Sequence, residues 1–248
     1  MNRRSVQNLQ GDASFHTTQW SLVIAAAAPT TAVAQAALEQ LCDTYWYPLY
    51  AYIRRRGYPV EEAEDLTQAF FAKLIEEKAT FQRANPGLGK FRSYLLGALG
   101  HFLSDELDKA RAVKRGGGKK VVNLDVGVAE GRLEAEAGRT RSPEWHFERE
   151  WGLTVLQLGL DALRARYADD GKRDLFDRLQ PHLSRDDASP VHRDLAAALG
   201  MSEAATKVAL HRLRRRYGEC IRREIARTLG SSAEVEEEVR HLFDILRS

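Results

Sequence analysis

Apolar residues recur along this chain at spacings of three and four, which is the period of an amphipathic α-helix. In residues 31–56 this stripe consists of Leu38, Leu41, Tyr45, Leu49 and Ile53. The same period returns from residue 60 onward, and then in residues 91–113, 143–168, 173–183 and the C-terminal stretch. No stretch of any length alternates apolar and polar residues as a half-buried strand does. The sequence therefore predicts an all-α fold.

Turn and loop signals divide the helices into groups. Gly57-Tyr58-Pro59 ends the first long helix, and Asn85-Pro86-Gly87 marks a loop at 78–90. Residues 116–143 are rich in glycine and charge and lack aromatic side chains, which is typical of a linker. We therefore expect two helical domains joined by a flexible linker. The expected ranges are an N-terminal extension at 1–30 with a short helix before Pro29, a first domain at 31–115, the linker at 116–143, a second domain at 144–225 and an acidic helix at 226–248.

The second predicted domain contains two helices separated by a tight turn. The turn is Leu199-Gly200-Met201, and Ser202 stands at the N-cap of the second helix. In residues 206–223, seven cations face a single acid, Glu219. A helix of this kind fits the major groove of B-form DNA. We therefore predict a C-terminal helix-turn-helix and prefer DNA contact to the interpretation of a merely solvated cationic helix.

Charge is segregated along the chain, although the net charge is only +2. Acidic residues gather at 61–65 and 234–238, and basic residues at 109–120 and 207–223. Local patches of this kind, rather than the total, decide which partners a surface attracts. The acidic C-terminal segment could also fold back onto 207–223.

The helix that begins near residue 60 has two distinct faces. On a helical wheel Leu66, Phe70, Phe71 and Leu74 share one arc, and Glu61, Asp65, Gln68 and Ala72 share the opposite one. Acidic residues in the first turn complement the helix dipole. The polar arc is therefore either a solvated face or a docking face for a basic partner, and spacing alone does not separate these interpretations.

Several classes of function are not expected. The two cysteines, Cys42 and Cys220, form neither a disulfide framework nor a metal site, which suits a cytoplasmic protein. The N-terminus lacks the apolar run of a signal peptide, and we expect no membrane insertion. The sequence has no phosphate-binding loop or paired histidines. A cluster of Glu61, Glu64, Asp65 and His101 could in principle gather a metal, but acids in a first turn usually cap a helix. We expect no catalysis, no cofactor and no metal.

Three segments together resemble the extracytoplasmic-function sigma factors, small specificity subunits of bacterial RNA polymerase. They are AEDLTQAFF at 63–71, FRSYLLGALGHFLSD at 91–105 and LGMSEAATKVALHRL at 199–213. The resemblance covers about residues 35–115 and 145–225. It implies partners in bacterial core RNA polymerase and promoter DNA, with an anti-sigma factor or a Ser/Thr kinase as candidate regulators.

The resemblance also implies roles for individual residues. The polymerase-docking residues would be Glu61, Glu64, Asp65, Gln68 and Ala72. The melted −10 element would meet Phe81, Arg83, Lys90, Arg92, His101, Lys109, Arg111, Lys114 and Arg115. The duplex −35 element would meet Ser202, Glu203, Thr206, Lys207, His211, Arg212, Arg214 and Arg215. Aromatic side chains that stack bases and cations that follow the backbone suit the first DNA role.

Two questions stay open at this point. Thr67 lies within the docking motif, where a phosphate would add charge beside the acids, although its place on the apolar arc favours a packed threonine. The alternative functions are a stand-alone helix-turn-helix regulator, which would bind duplex DNA tightly by itself, and an adaptor that makes only protein contacts.

Overall fold

The structure is a computed structural model that describes residues 32–76, 90–113, 141–183, 191–229 and 234–248. Within these ranges all regular structure is helical, which confirms the predicted all-α fold. The helices are α1 (Ala32–Arg55), α2 (Val60–Glu76), α3 (Phe91–Val113), α4 (Pro143–Asp169), α5 (Arg173–Leu179), α6 (Val191–Leu199), α7 (Glu203–Thr228) and α8 (Val235–Arg247), with a 3-10 turn at Gln180–His182. The predicted short helix before Pro29 and most of the predicted linker lie outside the described residues.

The helix ends follow from local chemistry. Gly57 adopts a positive φ of 93°, which a side chain would strain, and it closes α1. The hydroxyl of Ser142 accepts a hydrogen bond from the backbone N–H of Trp145 at 3.2 Å, and Pro143 occupies the first turn of α4. These are the positions at which the sequence predicted a helix end and a helix start.

The turn between α6 and α7 has a similar construction. Gly200 adopts φ 63°, and the backbone N–H of Met201 donates to the carbonyl of Ala196 at 3.0 Å. The hydroxyl of Ser202 then accepts from the backbone N–H of Ala205 at 3.2 Å. The predicted turn and N-cap are both present, and they set the direction in which α7 leaves α6.

Two clusters of buried apolar side chains hold the helices together. The larger one includes Leu49 of α1, Phe70 of α2 and Leu99 of α3, and also residues from the C-terminal half of the chain. Those C-terminal members include Phe147, Trp151, Val155, Ile221, Ile225 and Leu242. The predicted domains at 31–115 and 144–225 therefore share one apolar core in this structure.

The smaller cluster lies at the far end of α4. Its buried members are Leu163, Tyr167, Phe176, Leu179, Leu195, Leu210, Leu213 and Cys220. Helix α4 therefore runs from the larger cluster to the smaller one. Its Gly159 lies so close to α7 that an added Cβ would be 3.3 Å from the backbone nitrogen of Ile221, which keeps these two helices in tight contact.

Candidate nucleic-acid interface

Helix α7 presents an exposed cationic surface in its first four turns. This surface, called here the basic face, consists of Lys207, His211, Arg212 and Arg215, with the half-exposed Val208 among them. Lys207, His211 and Arg212 have no hydrogen-bond or ion-pair partner among the described residues. Arg215 lies 3.6 Å from the Glu219 carboxylate, and both side chains are exposed, so this pair is weak. The basic face is therefore available to an anionic partner.

Other residues predicted to contact the −35 element have internal partners. Arg214 donates to the backbone carbonyls of Leu183 at 3.2 Å and His182 at 3.1 Å, and it thereby fixes the 3-10 turn to α7. Thr206 is fully buried, and its hydroxyl donates to the Ser202 carbonyl at 3.1 Å. In this arrangement Arg214 and Thr206 position the basic face and do not belong to it.

The first turn of α7 contains two further predicted contacts. Ser202 uses its hydroxyl as the N-cap acceptor. Glu203 lies 3.3 Å from the exposed guanidinium of Arg193 on α6. Ser202 therefore stabilises the start of α7, whereas the exposed pair between Glu203 and Arg193 is weak.

Two arginines beyond the basic face, Arg216 and Arg222, pair with acids outside α7. Arg216 lies 3.5 Å from Asp170, and its guanidinium is 5.3 Å from the centre of the Tyr167 ring. Arg222 donates to Glu236 of α8 at 2.7 Å, which raises the pKa of Arg222 and lowers the pKa of Glu236. Helix α8 thus meets the far end of α7 and leaves the basic face exposed.

Helix α2 carries most of the predicted docking residues on its surface. Glu61, Asp65 and Ala72 are exposed and Gln68 is half-buried, but Glu64 is only 3% exposed. The four accessible residues form what is called here the docking face. Glu64 lies on another side of the helix and cannot contact a partner in this arrangement.

Thr67 is also inaccessible. Its side chain is fully buried, and its hydroxyl donates to the Ala63 carbonyl at 2.6 Å. A kinase could not reach this hydroxyl unless α2 left its packing. The structure therefore favours the simpler of the two interpretations, a packed threonine bonded to its own helix.

Helix α3 exposes two of the residues predicted to meet the −10 element. His101 is exposed, and Lys109 is exposed with its ammonium 2.8 Å from Glu106, a hydrogen bond that raises the pKa of Lys109. Arg111 lies within α3, but its side chain is not described. Phe81, Arg83, Lys114 and Arg115 lie outside the described residues.

An apolar recess of about 440 Å³ separates α2 from α3. Its lining includes Phe70, Leu74, Tyr94 and Phe102, and His101 also borders it. The ammonium of Lys73 lies 5.6 Å from the centre of the Phe102 ring and 3.3 Å from Asp105. Aromatic walls with a cation and an imidazole nearby could accept a planar, polar ring.

Arg92 and Lys90, which the sequence placed in the −10 contact, instead hold carboxylates of this chain. The Arg92 guanidinium donates to Glu148 at 2.7 and 2.9 Å and pairs with Glu238, and its side chain is only 4% exposed. The Lys90 ammonium lies 2.6 Å from Glu238. The Arg92 guanidinium also lies 4.4 Å from the centre of the Trp151 ring. Arg92, Lys90, Glu148 and Glu238 are called here the buried ion-pair cluster.

Sequence reasoning missed Glu148 and Glu238. Glu148 is 56 residues from Arg92, so no local spacing links the two. Glu238 gives one weak signal: it falls on the same side of α8 as Leu242, where an acid interrupts an apolar stripe. An acid in that position needs a buried cation.

No group of His, Cys, Asp or Glu within the described ranges is arranged to hold a metal ion. Likewise, the described helices include none that is long and apolar enough to cross a bilayer. No family model, curated protein or solved structure matches the chain.

Proposed function

We propose that this chain is an RNA polymerase sigma factor of the extracytoplasmic-function type, which binds bacterial core polymerase and directs transcription from specific promoters. The observation that carries the proposal is the basic face. It combines a well-capped helix after a tight turn with exposed basic side chains, of which only Arg215 has a partner among the described residues, an arrangement suited to the major groove of duplex DNA. Helices α6 and α7 would then form a helix-turn-helix.

Two further surfaces support the same function. The docking face is an exposed polar strip with Glu61 and Asp65, which suits a basic partner surface. The recess between α2 and α3 has aromatic walls, against which an unpaired base of a melted promoter could stack. One protein surface would thus bind the polymerase while two others bind DNA, as the segregated charges of the sequence suggest.

Promoter-dependent runoff transcription with bacterial core polymerase tests the proposal. We expect wild type to direct initiation at a defined site, and Asp65→Ala and Gln68→Ala to reduce this transcription together with retention on immobilised core polymerase. Asp174→Ala is a matched control, because it removes an exposed carboxylate from α5.

A second pair of variants tests the DNA contact. Arg212→Ala should reduce promoter-dependent transcription by roughly tenfold, the effect of losing one good contact to a base or phosphate. Arg223→Ala removes an exposed guanidinium farther along α7 and should change promoter-dependent transcription little. Core binding should be unaffected by either variant.

Two results would contradict the proposal. Tight, sequence-specific binding of the isolated protein to a palindromic duplex would instead identify a stand-alone regulator. Retention on core polymerase without stimulation at any promoter in a broad library would instead identify an adaptor that makes only protein contacts.

A further inference from the structure

Helix α8 packs against the helices that hold the two predicted domains together. Leu242 is fully buried, and together with Leu246 it packs at Gly152 of α4. At the end of α8, the hydroxyl of Ser248 accepts a hydrogen bond from the indole nitrogen of Trp145 at 3.0 Å. Apolar contacts and hydrogen bonds thus fix α8 along α4.

The same helix contributes the acid at the centre of the buried ion-pair cluster. Glu238 is fully buried, and its carboxylate pairs with both Arg92 and Lys90. His241, one turn later, lies 3.1 Å from Glu148, the second acid on Arg92. Helix α8 therefore contacts the first turn of α3 through Glu238, and through His241 it contacts the α4 acid that also pairs with Arg92.

Burial makes these contacts depend on one another. Removing a carboxylate from water costs free energy unless cations and hydrogen bonds surround it. Glu238 can therefore stay buried only while Arg92 and Lys90 face it. Conversely, Arg92 is almost completely covered and, among the described residues, reaches no anion other than Glu148 and Glu238 while α8 is docked. Docking of α8 therefore excludes an external anion from Arg92, and it also engages the ammonium of the 32% exposed Lys90.

We propose that α8 is an intramolecular inhibitor, in which the Glu238 carboxylate occupies the two cations that would otherwise bind DNA phosphates. The inference rests on the proposed function, which assigns Lys90 and Arg92 to promoter DNA. A carboxylate and a phosphate offer the same chemistry to a guanidinium or an ammonium, namely anionic oxygen acceptors. Release of α8 therefore exchanges an internal anion for an external one.

The experiment compares full-length wild type with Glu238→Gln and Glu237→Gln. The two variants lose the same charge at neighbouring positions, but Glu237 is exposed and lies outside the cluster. The first readout is fluorescence anisotropy of a labelled single-stranded promoter oligonucleotide with the free protein. The second is runoff transcription with core polymerase at limiting protein concentration.

We expect Glu238→Gln to bind the oligonucleotide about tenfold more tightly than Glu237→Gln, because loss of a buried partner shifts the balance toward release. Transcription should likewise be higher with Glu238→Gln than with Glu237→Gln. Hydrogen exchange in α8 and in the first turn of α3 should rise only in Glu238→Gln. Equal DNA binding by the two variants, with the helical circular dichroism signal of Glu238→Gln unchanged from wild type, would overturn the proposal.

A second variant guards against misfolding of Glu238→Gln. Arg222→Gln removes the exposed contact to Glu236 and loosens α8 without leaving a buried charge unpaired. It should strengthen oligonucleotide binding about twofold, a change that corresponds to one surface ion pair, despite the loss of a positive charge. If neither Glu238→Gln nor Arg222→Gln strengthens binding, the cluster is only structural and the proposal is wrong.

The two readouts separate this proposal from the proposed function. If Glu238→Gln alone binds DNA more tightly but neither variant nor wild type supports transcription, the sigma-factor assignment fails and the inhibitory contact stands. If wild type directs transcription and Glu238→Gln matches it in both readouts, the assignment stands and the inhibitory contact fails.

Discussion

Arg92 and Arg212 were both predicted to contact promoter DNA, but they lie in different environments. Arg212 is exposed on α7 with no partner among the described residues, whereas Arg92 is buried between two carboxylates and an indole ring. Both lie on helices in cationic or aromatic surroundings, so their local sequences look equally suited to DNA. Only the partners of Arg92, which are distant in sequence, distinguish it.

Tyr217 provides a test at the level of one hydroxyl group. It donates to the Leu156 carbonyl at 2.9 Å, and burial raises its pKa to about 12. In the unfolded chain the Tyr217 phenol has the ordinary tyrosine pKa of about 10. The contribution of Tyr217 to the free energy of unfolding is therefore fully present below about pH 10 and is lost as the pH rises through about 12.

Tyr217→Phe should lower the free energy of unfolding by about 1 kcal/mol at pH 8, the usual contribution of one hydrogen bond. The difference between wild type and variant should shrink at about pH 11, because the unfolded wild type is then ionised. Urea unfolding at the two pH values measures this difference in the free energy of unfolding. Tyr58→Phe, a half-buried tyrosine between α1 and α2, is the control. An unchanged difference would contradict the ionisation argument.

Helix α7 has two roles along its length, one in the exposed basic face and one in the apolar core. Its first turns expose the basic face, and its later turns contribute Ile221 and Ile225 to the larger core cluster. The start of the helix is fixed by Ser202 and by the positive φ of Gly200. The cap therefore sets the position of Lys207, which lies in the second turn.

Ser202→Ala should lower the free energy of unfolding by about 1 kcal/mol, because the backbone N–H of Ala205 loses its acceptor. Fraying of the first turn should also weaken promoter binding. Ser202→Asp retains an acceptor and should restore both properties. Thermal unfolding followed by circular dichroism measures the first effect, and a variant with unchanged stability would show that the cap is not important for α7.

Helices α4 and α8 pack against the first predicted domain, although a predicted linker separates them from it in the sequence. Leu242 of α8 belongs to the same buried cluster as Leu49 of α1 and Trp151 of α4. The apolar contacts between the two predicted domains are therefore part of one buried core. Substitutions in α8 should consequently affect the stability of both predicted domains.

Leu242→Ala should lower the free energy of unfolding by about 2–5 kcal/mol, the range for a leucine removed from a close-packed core. Phe243→Ala removes a larger but 40% exposed side chain from the same helix and should cost less than about 1 kcal/mol. Urea unfolding followed by circular dichroism compares the two. Equal effects would mean that α8 does not pack as a buried helix in solution.

Features that depend on neighbours in the chain could be predicted before the structure was known. Apolar spacing, Gly57, Ser142 and Ser202 each act within a few residues, so the helices, their ends and the turn before α7 could be predicted. The density of cations in residues 206–223 was also evident from the sequence, but not which of these side chains would be exposed.

Which polar and charged side chains remain accessible depends instead on contacts between helices. Glu64, which was predicted to dock on polymerase, is buried, whereas Thr67 is packed as its place on the apolar arc favoured, and Arg214 binds backbone carbonyls of another segment. Arg92 meets Glu148 and Glu238 because packing of α4 and α8 brings them together. A side chain is buried or free according to contacts between elements, and the local pattern of residues does not contain that information.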